Sequence, residues 1–566
     1  MRIARELSPE LLVDVDEAES LKSASFDFPS IGLSYRQLCD LELMTNGGFA
    51  PLRGFMTRGD YESVVSSMRL ADGTLWPIPV YLEVSARQAE SLTVGGAVAL
   101  RDDEGFMLAV MDVEDMWEPD RRAEAEAVYG TADRAHPGLS QLFESDATVY
   151  LGGMVRAVQL PNHYDFEALR HTPNQLKAQF ERFGWRNVVA FHTTRPMHRM
   201  QRAICMDAAK RASAHVLIHP VVGIARPGDF SYYARVKCYR AVEKHFPLGI
   251  ATLSLLPMAL RMAGPREALW HMLVRRNFGC THMIMANDHG SPPAGDFYEP
   301  YAAHELVRQY SDEVGMELVD FERRVYAPAR KAFVAASETE SAGLDTESLS
   351  MSEFNRRLAH EEAIPDWYSY PEVVDVLRNV HPPRRKVGLT LFFTGLSGAG
   401  KSTLAKIVYG RLIEDGSRPV TLLDGDVVRL NLSSELGFSK EHRNLNVRRI
   451  GYVASEITKN RGIAICAPIA PYTAMRRAVR EAVSAQGAFV EIHVSTPLEV
   501  CESRDRKGLY AKARSGIIPE FTGVSDPYEV PENPEIRIDT SHFSPMEAAE
   551  EIYLYLVREG YVDTSD

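Results

Sequence analysis

Eight consecutive residues, Gly395-Leu396-Ser397-Gly398-Ala399-Gly400-Lys401-Ser402, carry the densest chemistry in the chain. Gly, four residues, then Gly-Lys-Ser is the spacing of a phosphate loop. Gly395, Gly398 and Gly400 let the backbone turn so that successive N–H groups converge on one phosphate. Lys401 adds a point charge for the outer phosphates, and the Ser402 hydroxyl is a ligand for Mg2+. Ser397, Ala399 and Thr403 complete the stretch that would face the nucleotide. Such a loop needs a strand before it and a helix after it, whose positive end also favours anions. The apolar run from 389 to 394 reads as that strand, and Leu404, Val408 and Leu412 recur at helical spacing up to Gly416. The bland alternative, a Gly-rich turn with no ligand, does not require this order.

Two further clusters belong with the loop. Asp424-Gly425-Asp426 ends an apolar run from 420 to 423, which sets two carboxylates at a strand end beside the phosphates. Asp426 is the expected group for orienting or deprotonating an acceptor hydroxyl, with Asp424 as its alternate. The segment from Asp505 to Arg514 is basic and contains Gly508, so it reads either as a lid over a nucleotide or as a solvated helix face. Five strand candidates (389–394, 420–423, 463–467, 489–494 and 536–538), separated by helices, predict a parallel sheet.

Upstream, residues 1–165 read as β-rich, with runs at 76–84, 97–100 and 106–111 separated by turn residues. Residues 33–43 read as a helix. From 166 to 330 strands and helices alternate. The strands at 188–191, 214–218 and 283–286 predict a parallel α/β sheet with ligands at the strand carboxyl ends. Two loops follow those ends, 192–201 and 287–290. Residues 331–385 are polar and short of strands, 336–343 reads as a mobile loop, and 381–386 as a stiff basic hinge. The 566-residue chain has a formal net charge of −14, which argues against a nucleic-acid partner. It has no apolar run of membrane-spanning length, and its six scattered cysteines read as free thiols of a cytoplasmic protein.

At this level of detail the region from 387 to 563 resembles adenylylsulfate (APS) kinase, which phosphorylates the 3′-hydroxyl of APS to give PAPS and ADP. The matching segments are 395–403, 424–429, 436–439, 443–451, 507–514 and 521–523. The resemblance implies MgATP as donor, Phe438 and Phe521 stacked on the adenine, and Arg429, Arg443 and Asn446 on the phosphosulfate. Ile469, Lys507 and Lys512 complete the implied APS site. The family's Ile-Ser-Pro is Ile469-Ala470-Pro471 here, so a phosphoserine is excluded at that position.

Residues 1–380 are similar to ATP sulfurylase, which joins sulfate to AMP from ATP. The resemblance rests on 33–56, 219–223, 226–229 and 256–268. It implies a β-rich PUA-like first part (1–165), a Rossmann-like nucleotidyltransferase part (166–330) and a small end part with linker (331–385), before the phosphate-loop kinase (386–566). The family's loops read Gln-x-Arg-Asn-Pro-x-His-x-x-His and Gly-Arg-Asp-His-Ala-Gly. Here His192, Thr194, Arg195 and Gln201 stand at the Gln, Arg, Asn and second His positions, while Pro196 and His198 are kept. In the second loop Asn287 replaces the Arg, and Asp288 and His289 are kept. Two guanidinium groups and one imidazole are thus missing from positions that hold anions. The expectation is an APS kinase of sulfate assimilation whose sulfurylase-like part is silent and serves a homo-oligomer, possibly hexameric, with Arg195 filling the sulfate pocket. The alternatives are a bifunctional enzyme taking sulfate through APS to PAPS, and a non-enzymatic assembly protein. No nucleic acid and no membrane is expected as a partner.

Overall fold

The computed structural model describes residues 10–222, 230–292, 295–320, 322–380, 382–437, 439–505 and 508–563, and at Gln141, Glu340 and Asp426 the backbone only. The chain divides into two compact units. One comprises Met1–Phe354 with Ile364–Val380, the other Asn355–Ala363 with His381–Asp566.

In the first unit a helix Val15–Ala24 and a short strand Ser30–Gly32 precede the helix Tyr35–Thr45, which is started by a reciprocal cap between Ser34 and Gln37. A six-stranded sheet follows, in which Met107–Trp117 and Ala147–Ala157 are the long central strands. The run from 76 to 84 is strand only at Leu82–Ser85. Pro77 and Pro79 have no N–H to give a ladder, although Trp76 and Val80 are fully buried.

A five-stranded parallel sheet forms the next layer, in the order Ala251–Leu253, His215–Ile218, Val188–Phe191, His282–Ile284, Glu317–Val319. Val188–Phe191 is buried at every position, as an apolar run between two neighbours requires. The strand expected at 283–286 runs from His282 to Ile284, because Met285 and Ala286 already lead into the turn at 287–290. The segment 336–343, expected as a mobile loop, is a helix over Ala336–Ala342 that ends on Gly343 at φ 61°. It contains no proline, and a glycine in the left-handed region ends it without strain. A short antiparallel pair, Arg324–Ala327 with Ala332–Ala335, precedes it.

The second unit is built on a five-stranded parallel sheet in the order Val420–Asp424, Ile463–Ala467, Leu389–Thr394, Ala488–Val494, Ile536–Ile538. Leu389–Thr394 is central and buried throughout. The loop after it therefore leaves the sheet between two neighbouring strand ends, where ligands of open α/β sheets bind. Around the linker, Glu361 pairs with Arg385 and Lys386, and Arg384 with Glu559. Among the described residues no helix is long and apolar enough to cross a membrane.

Candidate active site

Close packing fixes the phosphate loop. Gly395 lies at φ +149°, and a Cβ there would meet the Val494 carbonyl oxygen at 2.5 Å. Gly398 lies at φ +76°, with the Cys501 carbonyl oxygen 2.9 Å from where a Cβ would sit. Three hydroxyls brace the loop from outside. Tyr510 donates to the Ser397 carbonyl at 2.9 Å, and Thr496 and Thr540 donate to the Ala399 carbonyl at 3.1 and 3.0 Å. Arg504 in turn holds Thr540 through two bonds of 2.8 Å. Tyr510 lies in the basic segment 505–514 already read as a lid, but Thr496, Arg504 and Thr540 did not stand out in the sequence, since a lone Thr or Arg far along the chain carries no spacing signal. The helix Lys401–Asp415 starts directly after Gly400, and Ser402 and Thr403 are exposed on its first turn. Lys401 is buried, with Nζ donating to the Gly395 and Leu396 carbonyls at 2.9 and 2.8 Å.

Asp424 is the last residue of its strand and is buried. Asp426, expected at the same strand end, lies instead in the first turn of the helix Gly425–Leu432. The chain turns at Gly425, which passes close to Ala467 and Pro468, so the two aspartates belong to different elements. The Asp426 side chain lies outside the described residues, as do Phe438 and Lys507.

The remaining APS-site candidates are partly drawn together. Arg443 donates to Thr522 Oγ1 at 2.8 Å and to the Tyr472 hydroxyl at 3.1 Å, and pairs with Asp526. Asn446, one turn further on, is buried with Oδ1 unpartnered among the described residues. Phe521 meets Tyr510 edge-on, with centroids 5.0 Å apart. Ser397, Tyr510, Phe521, Thr522 and Arg443 thus form a chain of neighbours from the loop to the basic helix. The Ile469 carbonyl receives Thr394 Oγ1 at 2.8 Å, which sets 469–471 against the phosphate loop. Ala470 has φ 45°, and Arg476 and Thr394 both donate to its carbonyl. Arg429 turns to the Leu436 and Gly437 carbonyls at 2.9 and 2.8 Å, and Lys512 is exposed.

In the first unit the loops after Val188–Phe191 and His282–Ile284 leave adjacent strands. They bring His192 and His289 to 4.7 Å between ring centroids. His271 completes the cluster, its Nδ1 lying 2.9 Å from His289 Nε2. Glu267, His271 and Arg275 lie four residues apart on the helix Gly264–Asn277, a spacing that could have been read as one face. Burial first, then the Arg275 charge and the neighbouring rings, hold His192 well below the usual histidine range. His289 is depressed likewise by burial, His271 and Arg275, and His271 by burial against the opposing pull of Glu267. Three neutral imidazoles would suit a divalent transition metal. Arg275, however, donates to His192 Nδ1 at 2.7 Å. At about 4 Å, two unit charges inside a protein repel by about 4 kcal/mol, so the cluster does not fit a cation.

The other loop candidates are used structurally. Gln201 Oε1 accepts the His198 N–H at 2.9 Å and so caps the helix Arg199–Arg211. His198 is buried, bonded to Ser369 Oγ at 2.9 Å and packed on Phe354 and Tyr368. Arg195, expected to fill the sulfate pocket, is exposed. Its carbonyl receives Thr193 and Tyr239, which turns the side chain's anchor outward. The Thr194 carbonyl accepts from Arg235, and Asn287 and Asp288 are exposed in a turn. The segment 223–229, which contains one of the quoted similarities, lies outside the described residues.

Fold and site define a phosphate-loop phosphotransferase unit joined to a sulfurylase-type α/β unit. Comparison with known proteins agrees part by part. Residues 4–160 match the PUA-like domain model, 167–380 the ATP-sulfurylase model and 387–539 the adenylylsulphate kinase model. The chain is 46% identical to a sulfate adenylyltransferase of Mycosarcoma maydis over 98% of both chains. It is 45% identical to that of Phaeosphaeria nodorum over 97% of this chain and 96% of the other. A solved structure described as a hexameric APS kinase from Thiobacillus denitrificans is similar over 99% of this chain and 100% of its own, with 40% identity and a TM-score of 0.81. The chain belongs to this family of joined ATP-sulfurylase and APS kinase proteins. The relatives' shared name gives no support to the expected silence of the first unit.

Proposed function

We propose that the second unit transfers the γ-phosphoryl group of MgATP to the 3′-hydroxyl of APS, giving PAPS and ADP. The observation that carries this is the braced phosphate loop on the central strand, with Lys401 buried beside it and Arg443, Asn446 and Phe521 connected to it through Tyr510. Transfer of this kind is mostly positioning and charge neutralisation. The loop N–H groups and Lys401 hold the outer phosphates. Ser402, exposed on the first helical turn, and Asp424, buried at the end of the strand next but one to the phosphate-loop strand, would hold a Mg2+ ion brought with ATP. Bound there, it would supply positive charge against the phosphate oxygens. Asp426 orients or deprotonates the acceptor hydroxyl, with Asp424 in reserve for that role. Arg443 and Asn446 hold the phosphosulfate, and Phe521 covers the adenine. A coupled assay of ADP formation from APS and MgATP tests this directly, and no APS-dependent ADP overturns it.

For the first unit, the relatives' name favours sulfate adenylyltransfer, so that the chain makes the APS its second unit consumes and runs from sulfate to PAPS. A second reading keeps the first unit silent. The observation behind it is the loop geometry: Gln201 caps a helix, Arg195 points to solvent and Asn287 replaces a guanidinium. Sulfate-dependent pyrophosphate release from ATP decides between them. Release lost in a His289→Ala variant supports the two-step chain, and none beside normal kinase turnover leaves a kinase with a structural partner. Of the proposed boundaries at 165, 330 and 385, the first and last fall between family matches, and 330 lies inside the ATP-sulfurylase match. A cytoplasmic homo-oligomer acting in sulfate assimilation belongs to the same proposal, and the hexameric description of the Thiobacillus protein supports the oligomer.

A further inference from the structure

Arg443 is satisfied from within the chain by a carboxylate, that of Asp526, with the Glu520 carboxylate further off at 4.0 Å. A carbonyl is a neutral acceptor that an incoming anion replaces without losing a charge pair. A carboxylate gives a charge-assisted bond of roughly twice the strength. The two side chains are only 10% and 19% exposed, so water screens the pair less than it would at the surface.

Asp526 is itself held in place. The Tyr472 hydroxyl donates to the same carboxylate. The backbone around it closes a tight turn, Asp526 N donating to the Phe521 carbonyl at 3.1 Å and Gly523 N to the Asp526 carbonyl at 2.7 Å. The turn therefore presents Phe521 and Asp526 together. Arg443 keeps one buried donor, Nε, without a partner among the described residues, and Asn446 keeps its Oδ1. Hydrogen-bonding capacity is left for a ligand there, but the charge of Arg443 is already matched.

We propose that Asp526 is an affinity-setting residue of this site: an internal counter-ion that occupies Arg443 and competes with the phosphosulfate of the acceptor nucleotide. The proposal rests on the kinase reading of the second unit. APS binding then includes the work of separating Arg443 from Asp526, or of bringing a second anion beside it. The site is tuned to weaker binding than its arginine would give alone.

The test is steady-state kinetics on the full chain with Asp526→Asn, which keeps the size and the acceptor for Tyr472 but removes the charge. The KM for APS is expected to fall about five- to tenfold, with kcat and the KM for MgATP changed by no more than about twofold. A smaller neutral side chain in Asp526→Ser is expected to act in the same direction and serves if the first variant does not fold. A KM for APS that is unchanged shows that the pair does not compete. One that rises shows that Asp526 holds Arg443 ready for the ligand. Either overturns the proposal. Wild-type protein that forms no ADP from APS and MgATP instead overturns the kinase reading itself, and is seen before any variant is measured.

Discussion

The hydroxyl of Tyr510 donates to the carbonyl oxygen of Ser397 across 2.9 Å, joining the helix Leu509–Arg514 to the middle of the phosphate loop. The same ring packs edge-on against Phe521. One side chain thus touches both the donor side and the acceptor side of the crevice. Tyr510→Phe removes the hydroxyl and keeps the ring. A neutral hydrogen bond contributes about 1 kcal/mol, so the KM for MgATP should rise about fivefold while the KM for APS stays near wild type. Equal effects on both substrates would show that the ring, not the bond, is what matters.

Lys401→Ala should lower PAPS formation by at least about 10²-fold, the usual cost of removing one aligned donor to developing charge. Lys401 Nζ donates to two carbonyls of its own loop, so far-UV circular dichroism and the unfolding midpoint should stay close to wild type. Wild-type turnover in this variant would remove Lys401 from the mechanism.

Ala470 has no hydroxyl, and its backbone is tied down by Thr394 and Arg476. Phosphoryl transfer should therefore pass directly between the two substrates in a ternary complex. Initial-rate plots with both substrates varied should intersect. Parallel lines, or a radiolabelled protein chased by APS, would indicate a covalent intermediate elsewhere.

Acid should weaken the first unit. Burial lowers the His198 pKa to about 4. An unfolded histidine titrates near 6.5, so between those values the unfolded chain holds a proton that the folded chain does not. Stability is complete above about pH 6.5 and falls toward pH 4, by about 2 kcal/mol from His198 alone between pH 7 and pH 5. Buried His192, His219 and His289 act in the same direction. All five tryptophans (Trp76, Trp117, Trp185, Trp270 and Trp367) lie in this unit, so their fluorescence during urea unfolding reports it selectively. His198→Phe should flatten the acid limb, and an unchanged slope would assign the loss to the other rings.

Much of the second unit was legible because its strands are short apolar runs bounded by Gly, Asp and Pro. Leu389–Thr394, Ile463–Ala467 and Ile536–Ile538 fall where the sequence puts them. Residues 76–84 show where hydrophobicity misleads, since burial there does not imply a ladder. The helix Ala336–Ala342 shows the opposite error, a polar stretch that propensity and one terminal glycine make regular. The candidate sites divide similarly. The phosphate loop is a local motif and could be read directly. Thr496, Tyr510 and Thr540 reach it from about a hundred residues away or more, and only folding brings them there. Arg195, Gln201 and Asn287 could be named from the resemblance to the sulfurylase loops, but their orientation depends on Tyr239, on a helix cap and on a surface turn. Position in a motif does not specify these contacts.

The two compact units are not two consecutive lengths of chain, for Asn355–Ala363 belongs with the second while Ile364–Val380 returns to the first. A recombination event that joined or separated the two functions at residue 380 would therefore strand nine residues on the wrong side of the cut. A kinase half beginning at His381 would lack Glu361, and Arg385 and Lys386 would each lose a carboxylate. Splitting the gene there yields a second half with an unfinished edge, whereas a break before Asn355 carries that edge along but leaves the first half without its returning helix Pro371–Val380. The interleaving makes inheritance as a single reading frame the arrangement in which both units are whole.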